Sequence, residues 1–140
     1  MAVVAAVLID TSAAARMVHP EVAAVVAPLI ASALVGTCAA LDFEALYSSR
    51  SRVEYEAVRS NRAVAYEYLP TNDVDWMRAL DVQRALAARS QVRAVGLPDL
   101  LIAAVAERER VTVLHYDADF DIIAAVTGQP TRWVVPRGTL

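Results

Sequence analysis

Four acids, Asp10, Glu44, Asp99 and Asp117, occupy positions where a chain of alternating strands and helices gathers carboxylates. Asp10 directly follows the apolar run at residues 3–9, and Asp117 follows the run at 111–114 after a two-residue gap. The stretch HYDADFDII at 115–123 adds Asp119 and Asp121 at alternate positions. Two carboxylates about 4 Å apart repel by ~4 kcal/mol at an effective dielectric of ~20. A solvated turn tolerates that repulsion, and so does a site that holds a cation. A convergent acidic cluster without basic neighbours needs protons or metal ions to relieve it. Oxygen donors without a Cys or His pattern suit Mg²⁺ or Mn²⁺ rather than Zn²⁺. A carboxylate-held divalent ion polarises a phosphoryl oxygen and activates water, and two such ions can clamp an in-line displacement at phosphorus.

Each acid also has a plainer reading. An aspartate after a strand is a common turn residue, and Asp99 could only cap a helix. Asp119 reads as the cap of a helix beginning at Phe120, Asp121 as a solvated first-turn acid and Glu44 as a surface acid. Acids are seldom buried unpaired, so the constellation carries more information than any member. His115 ends an apolar strand near the acids and reads as a packed or rim histidine that could touch substrate; His19 is a weaker signal. Trp76 and Trp133 could stack bases, but packing in a core or a dimer is the default.

Rival phosphoryl chemistries lack their parts. The chain has no lysine, which a receiver-type phosphoryl site requires, and no Gly-rich phosphate loop. Cys38 lies among small apolar residues with no base nearby, so it reads as a core thiol in a reducing cytoplasm.

Those acids need elements to position them. Residues 3–9 read as a buried parallel strand and Ser12 as the start of a helix over 13–18. Pro20 suits the first turn of a second helix, which Pro28 should break, with Gly36 ending the piece and a short strand at 37–39. Helices are expected at 41–49 and 52–67, the second carrying a patchy apolar face of Val53, Ala57 and Val64. Residues 68–70 suggest a short strand. Thr71 or Asn72 caps a helix through about Ala88, with Val74, Met77, Leu80 and Ala85 as its apolar face. Pro98 and Asp99 open an apolar helix at 100–106, followed by a strand at 111–115, a helix at 120–126 and a last strand at 132–135. Strands alternating with helices imply an α/β domain over residues 1–140, with a mainly parallel sheet of about five strands and right-handed crossovers. Ligand sites in such sheets lie beyond the carboxyl ends of the strands, which is where the acids fall.

Bulk properties narrow the class. A 57% hydrophobic content with 21% charged residues indicates a folded core. The apolar run at 22–35 is interrupted by Pro28 and Ser32 and falls short of the ~20 residues a membrane span needs. Net charge is −3, but all 13 basic residues are arginine, whose fork suits phosphate. Setting aside Asp10, Glu44, Asp99, Asp117, Asp119 and Asp121 leaves ten acids against those 13 arginines, so the body outside the cluster is positive.

The blocks VLIDTSA (7–13), DFEALYSSR (42–50), GLPDLLIAAVA (96–106) and LHYDADFDIIA (114–124) resemble a PIN-domain ribonuclease, most of all the VapC toxins of bacterial toxin–antitoxin pairs. The resemblance covers nearly the whole chain and keeps the acidic blocks in order. It implies a three-layer fold and Mg²⁺-dependent endonucleolytic cleavage of RNA, with Mn²⁺ as a substitute and translation stopping as the result. Carried over, Asp10, Glu44, Asp99 and Asp117 match the catalytic quartet. Asp10, Asp99 and Asp117 are the expected metal ligands, with Glu44 and Asp119 completing the shell and Ser12 supporting a carboxylate or a metal-bound water. It further implies a homodimer and a VapB-like antitoxin; the 52–67 helix and the helix after Pro20 form a candidate apolar and arginine-rich cleft for such a partner. A DNA-cutting nuclease on the same scaffold and a non-catalytic interaction module remain as alternatives.

Overall fold

A computed structural model describes residues 2–140. The elements in chain order are β1 (Val7–Ile9), α1 (Thr11–Ala14), α2 (Pro20–Ala31), β2 (Val35–Thr37), α3 (Ala39–Tyr47) and α4 (Arg52–Ala65). These are followed by β3 (Glu67–Tyr68), α5 (Asp73–Ala88), α6 (Leu97–Glu109), β4 (Thr112–His115), α7 (Asp119–Thr127) and β5 (Thr131–Trp133). All five strands are parallel, in the order β3-β2-β1-β4-β5. The chain builds outward from β1 to β3, then crosses back and adds β4 and β5 on the other side. That reversal opens a crevice beyond the carboxyl ends of β1 and β4.

Both sheet faces are covered, which is why the strands read as apolar runs rather than alternating patterns. Leu8 and Val113 point into one core with Leu41, Ile102 and Phe120. Val7, Ile9 and Leu114 point the other way, against Val22 and Val26 of α2. The result is the expected α/β arrangement of helices on either side of a parallel sheet.

Three local expectations are corrected. Helix α2 continues through Pro28. Both Pro28 and Ala24, the residue whose carbonyl loses an intrahelical donor there, lie on the exposed side, where solvent can satisfy that carbonyl. The left-handed stop after α2 is Ala33, at φ 58°, rather than Gly36. Gly36 lies inside β2, where an added Cβ would come within 3.2 Å of the Ala5 and Leu69 side chains. The second strand therefore falls at Val35–Thr37, ahead of the expected 37–39.

Helix α5 turns a different face inward. Val74, Met77 and Leu80 are exposed, while Asp75, Ala79, Val82 and Leu86 are buried. Two stripes compete on this helix, and the inner one includes an aspartate that finds an arginine on α6. On α4, Val53 and Val64 are exposed. The half-buried side is Val58, Arg62 and Ala65. Arg62 Nε donates to Asp42 Oδ1 at 3.0 Å and its Nη2 to Thr37 Oγ1 at 3.1 Å, so an ion pair rather than an apolar face docks this helix.

Candidate metal centre

The end of β1 delivers Asp10 to the crevice. Its N–H bonds Leu114 O at 2.9 Å across to β4. Its Oδ2 accepts the Ser12 N–H at 3.0 Å, so Asp10, not Ser12, caps α1. Ser12 serves the site differently: its Oγ accepts the Tyr116 N–H at 2.8 Å and ties α1 to the segment after β4. Glu44 on α3 accepts a 2.7 Å hydrogen bond from Thr11 Oγ1. Thr11 escaped the sequence reading, although its place beside Asp10 was the available signal.

Asp99 is the third residue of α6, whose N-cap is Gly96. The Gly96 N–H points to Asp119 Oδ2 at 3.4 Å, and Asp99 makes no capping bond. Asp119 is no cap either, since the N-cap of α7 is Ala118 and Asp119 is the first helical residue. Asp117 precedes it, and its Oδ1 accepts the Asp119 N–H at 2.9 Å. Asp121 is exposed and accepts the Trp133 indole N–H at 3.1 Å, joining α7 to β5 away from the cluster. His115 is fully buried, its ring centroid 5.1 Å from Phe120 and 5.0 Å from Trp133. Trp133 is thus engaged in packing, whereas Trp76 is more than half exposed.

Carboxylate oxygens of Asp99, Asp117 and Asp119 all lie within 4.8 Å of one another. Asp119 thus enters the tight group more fully than expected, while Asp10 and Glu44 border it. Among the described residues, ion pairs engage Asp42, Glu56, Asp75, Glu107 and Glu109, and none engages the five site acids. The consequence is electrostatic. Burial pushes the Asp99 carboxyl up to about 8, and the charges of Asp10, Asp117 and Asp119 push the same way. Burial also raises Asp10; hydrogen bonds from Ser12 oppose this, while Glu44 and Asp117 add to it. Burial lowers the pKa of His115, against the pull of Asp121, Asp10 and Asp117.

The donor set fits a hard divalent cation. Asp10 Oδ1 is buried and finds no hydrogen-bond partner among the described residues. Mg²⁺ bonds of about 2.1 Å place opposite ligands about 4.2 Å apart, close to the spacing of the three-aspartate group. Two grooves lead to Glu44. One, of about 540 Å³, runs between α1, α3 and α4 past Thr11, Ser48, Arg62 and Tyr66. The other, of about 640 Å³, is apolar and lined by Phe43, Trp76, Leu97 and Leu101.

Residues 7–126 match the PIN domain family. The chain is 45% identical over 133 residues to ribonuclease VapC51 of Mycobacterium tuberculosis, covering 95% of this chain and 96% of that relative. It is 44% identical over 132 residues to ribonuclease VapC21 of the same organism, covering 94% and 96%. The crystal structure of DNA-bound VapBC from Salmonella typhimurium has the same fold, with a TM-score of 0.76 at 16% identity and coverage of 94% of this chain and 99% of that one. With a family match over most of its length and relatives this similar from end to end, the chain belongs to the PIN-domain family, among the VapC ribonucleases.

Proposed function

We propose that this protein is a Mg²⁺-dependent endoribonuclease toxin, with Asp10, Glu44, Asp99 and Asp117 as its catalytic acids. Asp10, Asp99 and Asp117 hold the ion, with Asp119 and Glu44 completing the shell; Mn²⁺ substitutes for Mg²⁺. The observation that carries this reading is the convergent carboxylate group around Asp99, whose own pKa is raised to about 8 and with which no arginine among the described residues pairs. A bound divalent ion supplies Lewis-acid polarisation of a phosphoryl oxygen and lowers the pKa of water. The chain's own residues do the rest. Ser12 and Thr11 hold Asp10 and Glu44 in place by hydrogen bonds. The α6 N-terminus favours the ionised form of Asp99 once a cation replaces its proton.

Cleavage of RNA in the cytoplasm and arrest of translation follow from this reading. No helix among the described residues is long and apolar enough to cross a membrane. A VapB-like antitoxin is the proposed inhibitor, its segment lying in the polar groove from Arg62 to Glu44 rather than against α2. A homodimer is proposed as the active form, with the exposed apolar residues Phe43, Trp76 and Leu97 as the surface to examine.

The test is direct. Purified protein should cut structured RNA with Mg²⁺ or Mn²⁺ and stop on chelation, and a folded Asp99→Asn protein should be inert. Equal cutting of DNA of the same sequence would favour the DNA-nuclease alternative. Toxicity undiminished in the Asp99→Asn protein would favour the non-catalytic module.

A further inference from the structure

Histidine is an odd choice for the last residue of β4. Its ring is completely buried and packed against Phe120 and Trp133, where a leucine would fill similar space without a polar atom to satisfy. Nε2 is buried and has no partner among the described residues, so it does not explain the choice. Nδ1 does have a partner: it accepts the backbone N–H of Asp117 at 3.1 Å. An accepting Nδ1 carries no proton, which places the proton of the neutral ring on Nε2.

The bond falls where regular structure has run out. Residues 116–118 connect β4 to α7 and belong to neither, so the Asp117 N–H has no strand or helix partner. The hydrogen bonds then run in series. His115 Nδ1 fixes the Asp117 amide, Asp117 Oδ1 accepts the Asp119 N–H at 2.9 Å, and Asp119 Oδ2 accepts the Gly96 N–H at 3.4 Å. The two aspartates so linked are two of the three whose oxygens converge within 4.8 Å.

We infer that His115 is a positioning residue of the metal centre: its Nδ1, by holding the Asp117 amide, sets the Asp117 and Asp119 carboxylates in the geometry that a divalent cation requires. This rests on the function proposed above and adds a residue to it. His115 touches neither metal nor RNA in this role; it acts through Asp117.

The test separates position from packing. An asparagine at 115 can place Oδ1 near the site of Nδ1 and accept the same N–H, whereas a glutamine reaches toward Nε2 and leaves the amide unpaired. Leucine keeps bulk and removes every acceptor. Mn²⁺ affinity is read by titration calorimetry on the full chain, beside Mg²⁺-dependent RNA cutting and thermal unfolding, for wild type, His115→Asn, His115→Gln, His115→Leu and Asp117→Asn. Removing an outer partner of a metal ligand weakens binding by about 10- to 100-fold. That loss is expected for His115→Gln and His115→Leu, with His115→Asn staying near wild type even if all three unfold at lower temperature. The inference is overturned if folded His115→Gln binds Mn²⁺ as wild type does, or if folded His115→Asn loses affinity as far as His115→Gln. Should the leucine protein fail to fold, the Asn–Gln pair still decides. Wild type that binds no Mn²⁺ and cuts nothing would instead overturn the metal-nuclease reading itself.

Discussion

Asp10 and Asp75 are buried almost equally, 3% and 1% exposed, yet their charges are handled in opposite ways. Asp75 lies on α5 with both oxygens engaged. Oδ1 accepts from Arg108 Nε at 2.8 Å, and Oδ2 accepts from the Asn72 N–H at 2.8 Å and Arg108 Nη2 at 3.1 Å. Arg108 also donates to Glu109 and to Pro70 O at 2.6 Å. Asp10 has one engaged oxygen, one orphan and further acids as neighbours. A buried carboxylate matched by a guanidinium is a structural joint, here between α5 and α6. One left unmatched among other carboxylates is stable only with protons or with a cation that the chain does not supply.

The sharpest way to break the contrast is at the unmatched end. Asp99→Asn should lower the RNA cutting rate by about 1000-fold or more, because Lewis-acid stabilisation worth several kcal/mol is lost with the ion. Its metal-free unfolding temperature at neutral pH should hold or rise, since folding no longer has to take up a proton at this position. The matched end should behave in reverse. Asp75→Ala should cost about 3 kcal/mol of stability in urea unfolding, the lower range for breaking a buried pair, because Arg108 is partly exposed. Mn²⁺ affinity in that variant should not change.

Ligand and pH effects come next. Mg²⁺ at 100 times its dissociation constant should stabilise the wild type by about 2.7 kcal/mol and the Asp75→Ala protein by the same increment. Asp99 has a folded pKa of about 8 against an ordinary 3.8, so between those values the folded chain holds a proton that the unfolded chain has lost. Its contribution to metal-free stability is therefore fully present below pH 3.8 and is lost as pH rises through 8. Metal affinity should climb over the same range, because binding displaces that proton. Thermal unfolding against pH, with and without Mg²⁺, reads both slopes, and Asp99→Asn should flatten the first. The smallest effect is expected at Arg78, which pairs with Glu107 at 2.7 Å but is 41% exposed along its side chain. Arg78→Ala should cost less than about 1 kcal/mol and leave cutting unchanged.

Much of the fold was legible because parallel strands covered on both faces announce themselves as short apolar runs. Residues 7–9 and 112–115 lie in such runs, the first followed by Asp10 and the second ending at His115, whereas Val35–Thr37, interrupted by a glycine, lies two residues ahead of its expected place. The acidic rim was legible for the same reason: an acid just past a parallel strand must lie on the carboxyl side of the sheet. The α5 face was not, because two stripes on one helix both have helical spacing, and the choice depends on Arg108, 33 residues away. Pro28 misled because a proline on the exposed face of a helix costs less than one whose missing bond is buried.

The sequence by itself determined that carboxylates from four remote segments would share one edge, since strand direction and helix starts are local properties. Only the tertiary structure decided which oxygens draw within ligand distance, that Asp119 joins Asp99 and Asp117, and that His115 turns Nδ1 to the Asp117 amide. Those are differences of a few ångströms and of side-chain rotation, set by packing against distant elements and by hydrogen bonds that no spacing along the chain encodes.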